Sequence, residues 1–345
     1  WLGIGQESVV RVATHLDNSL KIDALAAAAR QALGEGKRIA AIVATMGSTD
    51  AFGVDDLRAV RTLRDDLVRE FELDYTPHTH ADAVIGWAWS VFNDYDFTAN
   101  PLGFRGRTVR ALALAHNRLQ HLRLADSIGI DFHKTGYAPY ISSLFLVREA
   151  VDFGTIARDR DSMPYLYQSG SHHPGMYTLE TSRSGTGPMA ALATMLMLGR
   201  EGFQTLLGHV VEMAEVLREG LEAHPDLTVL NGDNVGPVTL FRVYPPGVDT
   251  FSVKDRERTD AGFQTKVEEY NRLNRRVFER VNAEALAGGG VVISMTDCYR
   301  HTDHGIPIAA LKSYVLSPFT EEERMRSIID HVLAARDEVL GRDCD

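Results

Sequence analysis

Apolar residues recur along the chain with two periods, and the alternation between them sketches an α/β protein. In residues 19–33, Leu20, Leu25, Ala28, Ala29 and Leu33 share one helical face, which predicts a helix stopped by Gly34. The run Ile39-Ala40-Ala41-Ile42-Val43-Ala44-Thr45 follows and closes on Gly47-Ser48-Thr49. A continuous apolar run of that length predicts a strand buried on both faces, as in a parallel sheet. Asp55 and Asp56 are expected to cap a helix reaching about Glu70. The chain then enters the short strand-like stretch Thr79-His80-Ala81-Asp82-Ala83-Val84. Strand, helix, strand in this order implies a right-handed crossover between parallel strands.

The rhythm continues. Leu112, Leu114, Leu119 and Leu122, set among Arg110, Arg118 and Arg123, predict a helix over 108–125 that delivers the short alternating strand opening at Asp126. Residues 87–107 read as a long aromatic, glycine-bearing loop, and residues 142–147 as a further strand, antiparallel after the turn at Pro139. Residues 159–177, punctuated by Pro164, Gly170, Pro174 and Gly175, predict a long loop of the kind that forms lids. Gly187-Pro188 starts a helix, and amphipathic helix runs on past Gly202 to about His224. Strands are expected at 227–230, 238–243, 291–295 and 310–316, with a helix over 265–286. A last helix is expected to be capped by Thr320, with Glu323 completing a capping box. The domain boundary falls in the long helix, which makes residues 1–215 a large domain and 216–345 a small α+β domain.

The candidate chemistry gathers at strand ends. Thr45, Asp82 and Lys134 all lie there, and ligands of open α/β sheets bind beyond the carboxyl ends of the strands. Lys134 stands beside His133, with an apolar strand before it and Tyr137-Ala138-Pro139-Tyr140 after it. A partly buried amine suits condensation with an aldehyde cofactor such as pyridoxal phosphate. That cofactor needs a carboxylate against its ring nitrogen, which Asp82 supplies. Thr45 and Ser48 are candidates for hydrogen bonds to the cofactor ring or to a substrate carboxylate, and turn chemistry accounts for them as well. His172 and His173 have no carboxylate or cysteine at ligand spacing, so a polar loop rather than a metal site is expected.

His80-Ala81-Asp82-Ala83, the run from Asp126 to Lys134, and Gly136-Tyr137-Ala138-Pro139-Tyr140 together resemble the group II pyridoxal-phosphate amino-acid decarboxylases. Among these the chain is most similar to bacterial tyrosine decarboxylases. Phe132 stands where the family usually has proline, and Val84 where it has the small alanine that lies against the ring. The resemblance implies fold type I, an aspartate-aminotransferase-like large domain with a mostly parallel sheet followed by a small C-terminal domain. It implies pyridoxal phosphate as cofactor, with Lys134 attached, Asp82 on the ring nitrogen and His133 at the phosphate. Tyr165 matches the family's loop tyrosine, which delivers a proton to the carbon that carbon dioxide leaves. Tyr167 and a purely packing role stay open beside it. The expected activity is decarboxylation of an L-amino acid, aromatic by preference, in a homodimer with sites at the interface. An acidic-amino-acid decarboxylase, a carbon–carbon lyase or desulfinase on the same scaffold, and a catalytically silent partner subunit are the other readings.

Composition narrows the partners. Of the 345 residues 44% are hydrophobic, enough for a large core, and a net charge of −11 excludes the basic face that nucleic acid or an anionic membrane would need. Cys298 and Cys344 are too few for a disulfide framework, which makes a reducing cytoplasm the expectation. The most apolar stretch, 189–198, is too short to span a membrane. Trp1-Leu2-Gly3-Ile4-Gly5 reads as the middle of a longer protein. The resemblance then implies that the phosphate cradle and the ring-stacking residue lie upstream.

Overall fold

The computed structural model describes residues 3, 5–168, 173–178, 180 and 182–341. After an irregular N-terminal stretch come α1 (Ile22–Gly34), β1 (Ala41–Thr45), α2 (Leu57–Glu70), β2 (His78–Asp82), α3 (Gly106–Leu119), β3 (Ser127–Asp131) and β4 (Ser143–Val147). These strands form one sheet in the order β1-β2-β3-β4. The first three are parallel and β4 runs antiparallel to β3. Local sequence explains the crossovers. Asp56 starts α2 by accepting hydrogen bonds from the Arg58 and Ala59 amides, leaving the Leu57, Val60, Leu63 and Leu67 face to pack under β1.

Asp55 does not share that cap. Its carboxylate is buried and accepts from the amides of Leu20 at 2.6 Å and Thr45 at 2.7 Å, tying the N-terminal stretch to the end of β1. Hydrogen bonds to a charged group contribute about 1.5–3 kcal/mol each. Burial pushes the Asp55 carboxyl above its ordinary pKa in spite of these two bonds.

The remaining elements are α4 (Thr186–Glu222), β5 (Leu227–Val229), β6 (Val238–Val243), α5 (Val253–Thr259), α6 (Gln264–Leu286), β7 (Ser294–His301), β8 (Pro307–Tyr314) and α7 (Glu322–Gly341). The four strands make an antiparallel sheet, β5-β6-β8-β7. Its core joins Leu217 and Leu221 of α4 to Phe241, Val277, Leu311 and Val332. Leu207 and Val211, earlier on α4, pack instead with Trp89, Phe92 and Leu112 under the first sheet. Gly199 breaks the helical path of α4 with φ +58°, and the half before it is largely exposed.

Three expectations are corrected. Residues 87–107 are not all loop, because a 3₁₀ helix spans Gly86–Phe92 and buries Trp89 and Phe92 completely, so this aromatic cluster is core. The strand expected at 291–295 begins at Ser294 and reaches His301; Val291 and Ile293 lie in the core just before it. β7 is an edge strand, so its polar run Thr296-Asp297-Cys298 never showed the apolar alternation of a buried one. Finally α7 begins at Glu322, beyond Thr320, whose carbonyl accepts from His209. Among the described residues no helix is long and apolar enough to cross a membrane. Cys344, His172 and the Trp1, Leu2 and Ile4 positions lie outside the described residues.

Candidate active site

The carboxyl ends of β1, β2 and β3 lie side by side, with Thr45 opposite Asp82 and Asp82 opposite Gly129 in the parallel register. Adjacent strands are about 4.8 Å apart, so Thr45 and Asp82 come from one edge, and Asp131 and Lys134 extend from its third strand. The loops leaving β2 and β3 are fastened together. Thr135 Oγ1 donates to the Ile85 carbonyl at 2.7 Å and Trp87 Nε1 to the Asp131 carbonyl at 3.1 Å. Two glycines make the approach possible. A Cβ at Gly86 would sit 2.0 Å from the Met46 carbonyl oxygen, and one at Gly136 would sit 2.7 Å from that of Phe132. Phe132, at the position where proline was expected, packs its ring 4.9 Å from that of Trp87.

Lys134 keeps 23% of its side chain exposed and pairs with Asp131, Nζ to Oδ2 at 3.0 Å. The other Asp131 oxygen accepts from Ser143 Oγ of β4 at 2.6 Å. Burial by itself would raise the Asp131 pKa, but the hydrogen bonds from Ser143 and Lys134 outweigh it and hold the carboxyl below its ordinary range. His133 Nε2 stands 3.5 Å from the same Asp131 Oδ2, and its ring lies on Tyr140 at 4.1 Å. Tyr137 is half-buried, and desolvation pushes its phenol up to about 12.

One strand away, Asp82 Oδ1 is fully buried without a hydrogen-bond partner among the described residues. His80 lies two residues earlier and shares Ser127 Oγ with His78, at 2.8 and 2.7 Å. Burial lowers its pKa against the pull of Asp82. Val84 and His80 flank Gly129, 3.8 and 3.6 Å from where a Cβ there would stand. A proton donor on a ring nitrogen would satisfy the orphaned Asp82 oxygen, and Lys134 offers the amine that an aldehyde requires. The residues present therefore fit pyridoxal phosphate.

The other candidates sit differently. The Ser48 hydroxyl closes its own turn, accepting from the Gly53 amide at 2.9 Å. Tyr165 lies in a 3₁₀ turn, 53% exposed, with its hydroxyl 3.5 Å from Met163 Sδ. No hydrogen bond or ring contact among the described residues joins it to Lys134, His133 or Asp82. The Tyr167 hydroxyl donates to the Arg158 carbonyl. Asp131, Ser143, Thr135 and Trp87 carry parts of this geometry that the sequence reading did not single out. Their only sequence signal was proximity to Asp82 or Lys134. Among the described residues no group of three or more His, Cys, Asp or Glu side chains is placed to hold a metal ion.

No family model matches the chain. It is 25% identical over 340 residues to an L-2,4-diaminobutyrate decarboxylase of Acinetobacter baumannii, covering 98% of this chain and 55% of that protein. It is 24% identical to an aspartate 1-decarboxylase of Aliivibrio fischeri, covering 95% and 53%. An L-tyrosine decarboxylase of Enterococcus faecalis is 26% identical, covering 67% of this chain and 39% of the relative. Among solved structures, mouse CSAD in its apo form superposes with a TM-score of 0.71 at 15% identity, covering 97% of this chain and 60% of that one. A rice TDC with PLP and tryptamine gives 0.67 at 18%, covering 98% and 59%. The chain thus spans about half the length of the curated relatives it matches first, and its fold is the α/β fold type I of those structures.

Proposed function

Because this chain is a relative of the group II pyridoxal-phosphate amino-acid decarboxylases over about half of their length, we propose that it supplies the lysine side of a decarboxylase site. The reaction converts an L-amino acid to its amine and carbon dioxide. The observation that carries this reading is the half-buried Lys134 amine one strand away from a buried Asp82 oxygen that has no hydrogen-bond partner among the described residues. Pyridoxal phosphate, when bound, supplies an electron sink for the bonding pair released as carbon dioxide leaves. Lys134 Nζ would hold the cofactor covalently, and Asp82 Oδ1 would accept the hydrogen bond of its ring nitrogen. His133 would lend a donor toward the phosphate, while Thr45, Ser48 and Val84 would border the ring. A second copy of the chain completes the site across a two-fold axis; the exposed Leu144, Phe145 and Leu146 of edge strand β4 support an assembly of this kind. An active monomer in light scattering would reject that assembly.

For the substrate we favour an aromatic amino acid such as tyrosine, on the Gly136-Tyr137-Ala138-Pro139-Tyr140 continuation after Lys134. The diaminobutyrate and aspartate decarboxylases that match nearly the whole chain support a second reading, a charged side chain. Release of carbon dioxide from tyrosine, aspartate and 2,4-diaminobutyrate, measured with added pyridoxal phosphate, decides between them. No release from any of the three, with Lys134 unlabelled by borohydride, would sink the proposal.

Tyr165 is assigned the proton that replaces carbon dioxide. A phenol stays protonated near pH 7, and a loop residue can reach the substrate Cα when its loop closes. Tyr165→Phe is expected to lower amine formation by about 10²–10⁴-fold, the span of a general acid, with KM little changed. If Tyr167→Phe shows that loss instead, the role moves two residues along.

A further inference from the structure

We propose that Asp131 is a positioning residue that holds Lys134 as its counter-ion until the amine is consumed, and so sets how readily Lys134 condenses with an aldehyde. The inference rests on the reading of Lys134 as the cofactor-binding amine. Asp131 is held at both carboxylate oxygens and at its carbonyl. Its Oδ1 takes the Ser143 hydroxyl at 2.6 Å, and its carbonyl accepts from Trp87 Nε1 and the Lys134 amide. Its Oδ2 is left for Lys134 Nζ at 3.0 Å and His133 Nε2 at 3.5 Å. The two charged side chains are only 14% and 23% exposed, so solvent and salt screen this pair less than a surface ion pair.

Among the described residues, few groups face Asp131. Lys134 and His133 come from its own loop, the neutral Ser143 from β4, and the Tyr140 ring covers His133. Condensation requires the ammonium to give its proton to solvent and its electron pair to the aldehyde carbon. A C=N bond then forms and water leaves. The carboxylate opposes the first step, since an opposite charge in contact favours the ammonium. Once the amine is consumed, His133 Nε2 remains beside Oδ2. Its Nδ1 lies 2.9 Å from the Ser142 carbonyl and accepts from the Ser142 amide at 3.2 Å, which fixes the ring.

The test mixes pyridoxal phosphate with the cofactor-free protein and follows C=N formation by absorbance across pH, with borohydride trapping and peptide mapping. Asp131→Asn is expected to react about tenfold faster at neutral pH, and Asp131→Glu to return toward wild type. An unchanged profile with the label on Lys134 overturns the inference while leaving the reading of Lys134 intact. A label on another residue overturns both. If circular dichroism finds Asp131→Asn unfolded, Ser143→Ala decides. Freeing Oδ1 leaves more of the carboxylate charge to the ammonium and should slow condensation severalfold, and a wild-type rate would overturn the inference.

Discussion

Lys134→Ala is expected to lower turnover by roughly 10⁴-fold or more, the scale on which removal of a covalent residue acts. The physical reason is that no other amine takes its place. Lys134 is the only lysine between Lys37 and Lys254, and its loop is fastened to the end of β2 through Thr135 and Trp87. The substitution removes a side chain that is partly exposed and paired to one carboxylate, so the fold should survive and circular dichroism should be unchanged. Borohydride reduction of the wild-type protein with pyridoxal phosphate, followed by peptide mapping, should place the label on Lys134 and on no residue of the variant. Retained turnover in Lys134→Ala would refute the assignment.

Asp82→Asn is the second large effect. The amide keeps the shape of the carboxylate and removes its charge, and a protonated ring nitrogen loses the partner that keeps it protonated. The expected fall in kcat is about 10²–10³-fold, the scale of deleting one preorganised electrostatic partner. Lys134 should still take the borohydride label, which separates the two roles. Wild-type kcat in Asp82→Asn would show that the buried Asp82 oxygen serves the fold alone.

These two residues were legible because each breaks a local rule. An aspartate inside the strand-like run 79–84, between the buried Ala81 and Ala83, and a lysine following an apolar strand both sit where a sheet gains nothing from charge. Asp131 broke no such rule. An acidic residue at the end of a strand reads as turn chemistry, and only the antiparallel return of β4 brings Ser143 to its carboxylate. Asp55 was misassigned for a related reason. Beside Asp56 it looks like half of a cap, and its two acceptor bonds reach backbone amides 35 and 10 residues away. Tyr165 was chosen by motif, and its position relative to Lys134 depends on a loop whose packing no local pattern specifies.

The periodicity of apolar residues determined the order of helices and strands, the parallel core of the first sheet and the clustering of Thr45, Asp82 and Lys134 at one edge. Those features follow from short-range geometry, because a strand buried on both faces and a helix buried on one leave different spacings in the chain. Tertiary structure alone decided which hydrogen bonds join the loops beyond that edge. It also decided that the aromatics after Gly86 are core and that one Asp131 oxygen stands between Lys134 and His133. Each depends on the close approach of segments distant in sequence, which the spacing of residues along the chain does not encode.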